Sequence, residues 1–247
     1  MDRRTLLAAG AAIAVAGLTG EPARAATRRP IFEWARPGGF FPGEGFLTPP
    51  ALAVYDDGTA YADAAATLPL RPAQVERLLT QAADVLGDPR NTRRDPGRPA
   101  RDRPVDHVSL RGDDGAHLTA ELPGWGDGDS AHAFPEALRA LDRHVQDLRR
   151  TVLAGGEPWR PNAILLATVR LDHRPDAADP WPAGLPRPDL SALYAERVVR
   201  GEQAQAVRRT LPPGSALWPA YRMSPLAFAR AGWRHLLPHE IEPAAGE

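Results

Sequence analysis

Cysteine is absent from this 247-residue chain. Disulfides, thiolate catalysis, Cys-based zinc sites and a lipid-modified N-terminal cysteine are therefore excluded. The fold must be held by its core alone. Lysine is absent as well: all 30 side chains counted as Lys or Arg are Arg. A GC-rich coding bias accounts for this more simply than a use of guanidinium geometry does. Neither sign of charge is in excess. Formal net charge is -1, so no global field points to nucleic acid or an anionic membrane. The motifs of common chemistries are also lacking. There is no His-Glu-x-x-His, no phosphate-binding Gly-rich loop after a strand, and no Gly-x-Ser-x-Gly. These gaps argue against a nucleotide cofactor, and none is expected.

What is present begins with a leader. Arg3-Arg4 followed by Leu6-Leu7 resembles a twin-arginine export signal. The apolar run 6–18 is too short to span a bilayer comfortably. Ala23-Arg24-Ala25 supplies a small-residue cleavage pattern, so residues 1–25 read as a signal peptide. The expected location is outside the cell or at its envelope, with no membrane span in the mature chain. Residues 26–247 then form a single domain, with sub-units 31–87 and 104–156 and a C-terminal part 157–240.

The stretch 51–87 organises the mature chain. Leu52, Val54 and Tyr55 precede Asp56-Asp57-Gly58, and Thr59 and Tyr61 follow. Gly takes positive φ freely and Asp tolerates it, so the triplet predicts a β-hairpin turn. A helix follows, opened by Pro72. Val75, Leu78, Leu79, Ala82 and Leu86 recur at helical spacing, and Gly87 and Pro89 mark its stop. The same order returns further on. Val105, His107, Val108 and Leu110 lead to Asp113-Asp114-Gly115, and a return strand spans 117–122. Pro135 then opens a helix whose stripe is Leu138, Leu141, Val145, Leu148 and Val152. The agreement in order suggests a two-fold hairpin–helix repeat.

Around these units, 30–35 alternates as a first strand and 88–103 reads as a solvated, Arg- and Asp-rich connector. The run 163–171 is the most apolar strand and a candidate for the sheet centre. A short strand at 195–199, a helix at 202–211 and a last strand at 226–237 follow. The fold class expected is α+β: one antiparallel sheet built from β-hairpins, with helices packed on one face.

Four runs carry a family resemblance. Phe-Glu-Trp-Ala-Arg-Pro-Gly-Gly-Phe (32–40), Pro-Ala-Leu-Ala-Val-Tyr-Asp-Asp-Gly (50–58), Trp-Arg-Pro-Asn-Ala (159–163) and Leu-Leu-Pro-His-Glu (236–240) resemble a group of exported actinobacterial proteins and lipoproteins of unknown function. The resemblance spans about 31–240 and implies export and a shared fold, with no catalytic residue. This chain departs from the lipoproteins in having no cysteine.

Candidate chemistry is sparse. His107 and His117 lie on the two arms of the second hairpin, where a metal pair competes with ordinary strand histidines. Asp127-Gly128-Asp129-Ser130 starts like a calcium loop, but Ala131 and His132 break the pattern. Asp56-Asp57 and Asp113-Asp114 are explained by turn chemistry. Loop aromatics remain. Phe40, Phe41 and Phe46, in the Gly/Pro-rich stretch 38–50, either tuck beneath their loop or form a recognition patch. With Trp181 they are the candidate binding residues, since exposed loop aromatics anchor partners. The expected function is a non-catalytic binding module for an unidentified protein or envelope partner. The alternative is a secreted hydrolase with a site assembled from distant Asp, Glu and His.

Overall fold

The computed structural model describes residues 28–36, 47–95, 97, 103–112, 115–125, 132–214 and 218–241. Phe40, Phe41, Phe46, Asp113, Asp114 and the Asp127-Gly128-Asp129-Ser130 run lie outside them. The described residues form an α+β structure with two sheets where the sequence suggested one.

The first sheet has seven strands: β1 (Pro30–Ala35), β2 (Leu52–Tyr55), β3 (Thr59–Ala62), β4 (Ala66–Pro69), β5 (Val105–Arg111), β6 (His117–Pro123) and β7 (Glu157–Pro158). Their spatial order is β6-β5-β1-β2-β3-β4-β7, with every neighbouring pair antiparallel. Period-two alternation sends Phe32 and Trp34 of β1 to one face and Glu33 to the other. Helices α1 (Pro72–Leu86) and α3 (Glu136–Gly155) cover the Phe32 face, and a single turn, α2 (Pro89–Thr92), follows α1. The whole α3 stripe, Leu138, Leu141, Val145, Leu148 and Val152, is buried in that core. The α1 stripe is only partly covered. Leu78, Ala82, Val85 and Leu86 are buried, whereas Val75 and Leu79 are only partly buried, at the edge of the same core.

The second sheet follows. It contains β8 (Ala163–Leu171), β9 (Asp179–Pro180), β10 (Tyr194–Arg200), β11 (Ala220–Ser224) and β12 (Ala227–His235), in the order β10-β8-β12-β11-β9. Helix α4 (Gly201–Thr210) packs on it through Ala204 and Val207, and α5 (Pro238–Ile241) ends the described chain. β8 is an interior strand, buried from Ala163 to Val169, which explains its continuous apolar run.

Several local expectations change. Gly87 caps α1 at φ -71°, so the helix stops without a left-handed residue. The connector after α1 is partly anchored: Arg94 donates to the Pro123 carbonyl at 2.8 Å and lies over the Phe134 ring. The repeat goes no further than element order, because β4 follows the first hairpin and, among the described residues, no strand follows the second before α3. β4 enters through a tight turn in which Asp63 and Ala64 both have positive φ, 52° and 47°. No glycine announces it. Arg149 of α3 holds the Asp63 carboxylate at 2.8 Å, and Ala64 is buried under the C-terminal segment.

Candidate functional site

Two places gather side chains whose arrangement exceeds the needs of packing. The first is a cleft at one end of the seven-stranded sheet. Its volume is about 670 Å³. Leu70, Val75, Leu79, Ala83 and Leu110 form an apolar floor between α1 and the end of β5. Asp56, Asp57, Glu76 and Arg111 stand at its polar rim. The floor exists because the α1 stripe is wider than the surface the sheet offers it. Val75 and Leu79 belong to the stripe by spacing, yet they face the cleft.

The rim is unevenly neutralised. Arg28 pairs with Asp57, and this bond holds the Asp57 carboxyl down at about 2. The Asp57 carboxylate also accepts from the Thr59 backbone N–H at 2.9 Å, which fixes the turn. Arg111 donates to the Arg29 carbonyl at 2.8 Å. Asp56 and Glu76 have no ion-pair partner among the described residues. The Arg29 carbonyl is neutral, so Arg111 keeps its charge on the rim, and with Arg28 it leaves the three carboxylates one negative charge in excess beside the apolar surface.

The second place is the seam between the two sheets. The face of β1–β3 that carries no helix is covered by the chain after β12. Leu237 is fully buried against Ala53, Tyr55, Tyr61 and Ala64, and Trp159 closes the side. Aromatic rings fix this packing edge to face: Tyr55 on Tyr61 at 5.3 Å, and Tyr61 on Trp159 at 4.8 Å. The Trp159 indole N–H donates to the Leu236 carbonyl at 2.9 Å. Glu33, Tyr55, Trp159 and Leu237, far apart in the sequence and each from a different one of the four runs singled out above, meet here.

A polar cluster lies within the seam. The Tyr55 hydroxyl is 2.7 Å from His239 Nδ1, and His239 Nε2 is 3.5 Å from Glu33 Oε2. Burial raises the Tyr55 hydroxyl pKa above its ordinary value, so it stays protonated and donates to Nδ1. Burial lowers the His239 pKa. The imidazole is then neutral at pH 7 and carries its proton on Nε2. Glu33 is pushed up to about 7, first by burial and then by the nearby Glu240 charge, with Arg234 opposing. Its Oε2 is buried without a hydrogen-bond partner among the described residues. The contact with His239 is thus not a standing ion pair at neutral pH. Glu240 behaves differently. Burial would raise its pKa, but a two-pronged bond from Arg234, at 2.9 and 2.6 Å, and the Leu237 N–H at 2.8 Å leave it lowered.

The other sequence candidates fall elsewhere. Trp181 is half-buried on the second sheet, its ring edge-on to Tyr221 at 5.5 Å and its backbone N–H donating to the Arg222 carbonyl at 3.1 Å. His107 faces Glu121 across the β5–β6 ladder at 4.0 Å, whereas His117 pairs with Arg111 at the far end. The register therefore separates the two histidines and removes the metal pair. Among the described residues no three His, Asp or Glu side chains are placed to hold a metal ion. Sequence reading missed the seam because Glu33, Tyr55 and His239 lie on three separate elements. It held half of the signal for the cleft, in the extra width of the α1 stripe. Comparison with known proteins adds no label to either place: no family model, no curated protein and no solved structure matches the chain.

Proposed function

We propose that this protein is an exported, non-catalytic binding module that receives, in the cleft beside α1, an apolar peptide segment of a partner protein flanked by a basic residue. The observation carrying this reading is that Val75 and Leu79, spaced for burial, are left facing a cleft of about 670 Å³. Binding sites have this size and this pairing of apolar floor with a few polar groups. The basic residue follows from Asp56 and Glu76, which make no ion pair among the described residues and outnumber the one unpaired cation of the rim, Arg111. Export rests on Arg3-Arg4, the apolar run after it and Ala23-Arg24-Ala25. Among the described residues no helix is long and apolar enough to cross a membrane.

A fluorescence-anisotropy titration with labelled seven-residue Leu/Val peptides tests this. Peptides ending in Arg bind, the same peptides ending in Glu bind at least tenfold more weakly, and Val75→Asp/Leu79→Asp abolishes both. Equal binding of the two peptides, or binding untouched by the double variant, overturns the assignment.

A second reading, a secreted hydrolase, has one observation in its favour. Glu33 and His239 meet from opposite ends of the described chain, and a carboxyl near 7 suits general acid–base work. Turnover of peptide, ester or glycoside substrates that Glu33→Gln abolishes would establish it. Neither side chain lines the cleft, which is why the binding reading is preferred.

A further inference from the structure

We propose that the segment 236–241 is a pH-sensitive latch, docked on the helix-free face of the seven-stranded sheet and loosened when the Glu33 carboxyl beneath it ionises. The docking contacts are specific. Leu237 fills the space among Ala53, Tyr55, Tyr61 and Ala64, Trp159 holds the Leu236 carbonyl, and His239 meets the Tyr55 hydroxyl. Glu33 lies under this cover with one oxygen buried and unpartnered among the described residues. A neutral carboxyl tolerates such a place, whereas a carboxylate there lacks the donors that water would supply.

The groups facing Glu33 make no hydrogen bond to that oxygen. From α5 come His239, whose Nε2–H points toward it but stands 3.5 Å away, too far for more than a weak contact, and Glu240, whose charge repels. From β12 comes Arg234, already bound through both terminal nitrogens to Glu240. His235, also of β12, donates to the Ala64 carbonyl. From β2 comes Tyr55, whose hydroxyl is engaged by His239. On β5 the residue across the ladder is Ser109. Arg28 lies over the Tyr55 ring and pairs with Asp57, and Arg29 raises the cost of a charge on His239.

The Glu33 side chain is already in part exposed, and lifting the segment opens its buried Oε2 to water, so ionisation and opening are linked. With the carboxyl at about 7 when covered, the closed state binds its proton more tightly than the open state. Closure is therefore favoured at low pH and weakened as pH rises to about 7 and slightly beyond. His239 opposes this slope, because its covered form is neutral and weakens closure as pH falls through its own range.

Hydrogen exchange on the full chain reads the latch directly. The Leu237, Glu240 and Ile241 amides are protected only within the docked segment, through the Glu240 carboxylate and the Leu237 carbonyl. Between pH 5 and pH 8.5 their protection factors, corrected for intrinsic exchange, fall on the order of 100-fold relative to α3 amides. In Glu33→Gln the fall disappears and only the opposite His239 slope remains. Leu237→Ala lowers protection at both pH values and keeps the wild-type slope, which separates loosening from titration. Protection that does not change with pH in the wild type, or a fall retained in Glu33→Gln, overturns the proposal.

Discussion

Asp106 offers the sharpest test of how the seven-stranded sheet is held. It sits second in β5 and has no exposed surface. One carboxylate oxygen accepts from the Trp34 indole N–H at 2.8 Å and from Arg36 Nε at 2.9 Å. The other accepts from a terminal nitrogen of Arg36 at 3.2 Å. Asp106→Ala removes every one of these acceptors. The Trp34 N–H, on a ring 3% exposed, is then orphaned, which costs about 1–3 kcal/mol. Arg36 loses a charge-assisted pair worth roughly 1.5 kcal/mol, but its side chain is 33% exposed and recovers part of that from water. The total expected is about 3 kcal/mol. Asp106→Asn keeps one oxygen for the indole and Arg36 Nε, and loses the charge and the second acceptor, which served the partly exposed Arg36 terminal nitrogen, so about half that cost is expected. Urea denaturation of both variants, with the slope of the transition held as a control, measures the two values. The near-ultraviolet circular dichroism of the Trp34–Trp125 pair, edge to face at 5.7 Å, should weaken in Asp106→Ala and persist in Asp106→Asn. A loss under 1 kcal/mol in Asp106→Ala, or equal losses in the two variants, would refute the reasoning.

Three further outcomes follow from the same structure. Gly156→Ala places a methyl 2.5 Å from the Val152 carbonyl oxygen and 2.7 Å from that of Thr67; neither backbone can retreat cheaply, and a stability loss of about 2 kcal/mol or more is expected by urea melting. Ala64→Val puts a β-branched residue at φ 47° and should cost about 2 kcal/mol, so an unchanged midpoint would deny the positive-φ turn. Glu33, at about 7 when folded against 4.5 in the open chain, contributes a destabilisation that is absent well below pH 4.5 and complete above pH 7. With its side chain 23% exposed, that amounts to about 3 kcal/mol. Glu33→Gln should therefore match the wild type near pH 4 and be the more stable protein at pH 8, in denaturant curves collected across that range.

The parts of the fold legible in the sequence were those set by local periodicity. β1 alternates, the α3 stripe is buried residue for residue, and Asp56-Asp57-Gly58 turns with Gly58 at φ 78°. β4 was not legible because the turn before it carries Asp63 and Ala64 at positive φ, and Ala64 gives no local signal. Its conformation is held from a distance, by Arg149 and by the segment covering Ala64. The division into two sheets was equally hidden. It depends on which antiparallel partners β8 and β12 choose, and both read simply as apolar strands. The candidate site divides the same way. Val75 and Leu79 were on the stripe, but their exposure depends on how much of α1 the sheet covers. The seam was beyond reach, since Tyr55 and His239 are 184 residues apart and neither is unusual where it stands.

The central claim is that the cleft beside α1 receives an apolar, basic-flanked segment. Methyl-detected nuclear magnetic resonance of the full chain, titrated with the Arg-ended Leu/Val peptide, tests it most directly. The account predicts saturable shifts in the methyls of Val75, Leu79 and Leu110, with those of Val199 in β10 and Val207 in the helix packed on it unmoved. Shifts confined to the second sheet around Trp181, or no saturable shift at Val75 and Leu79, would contradict it.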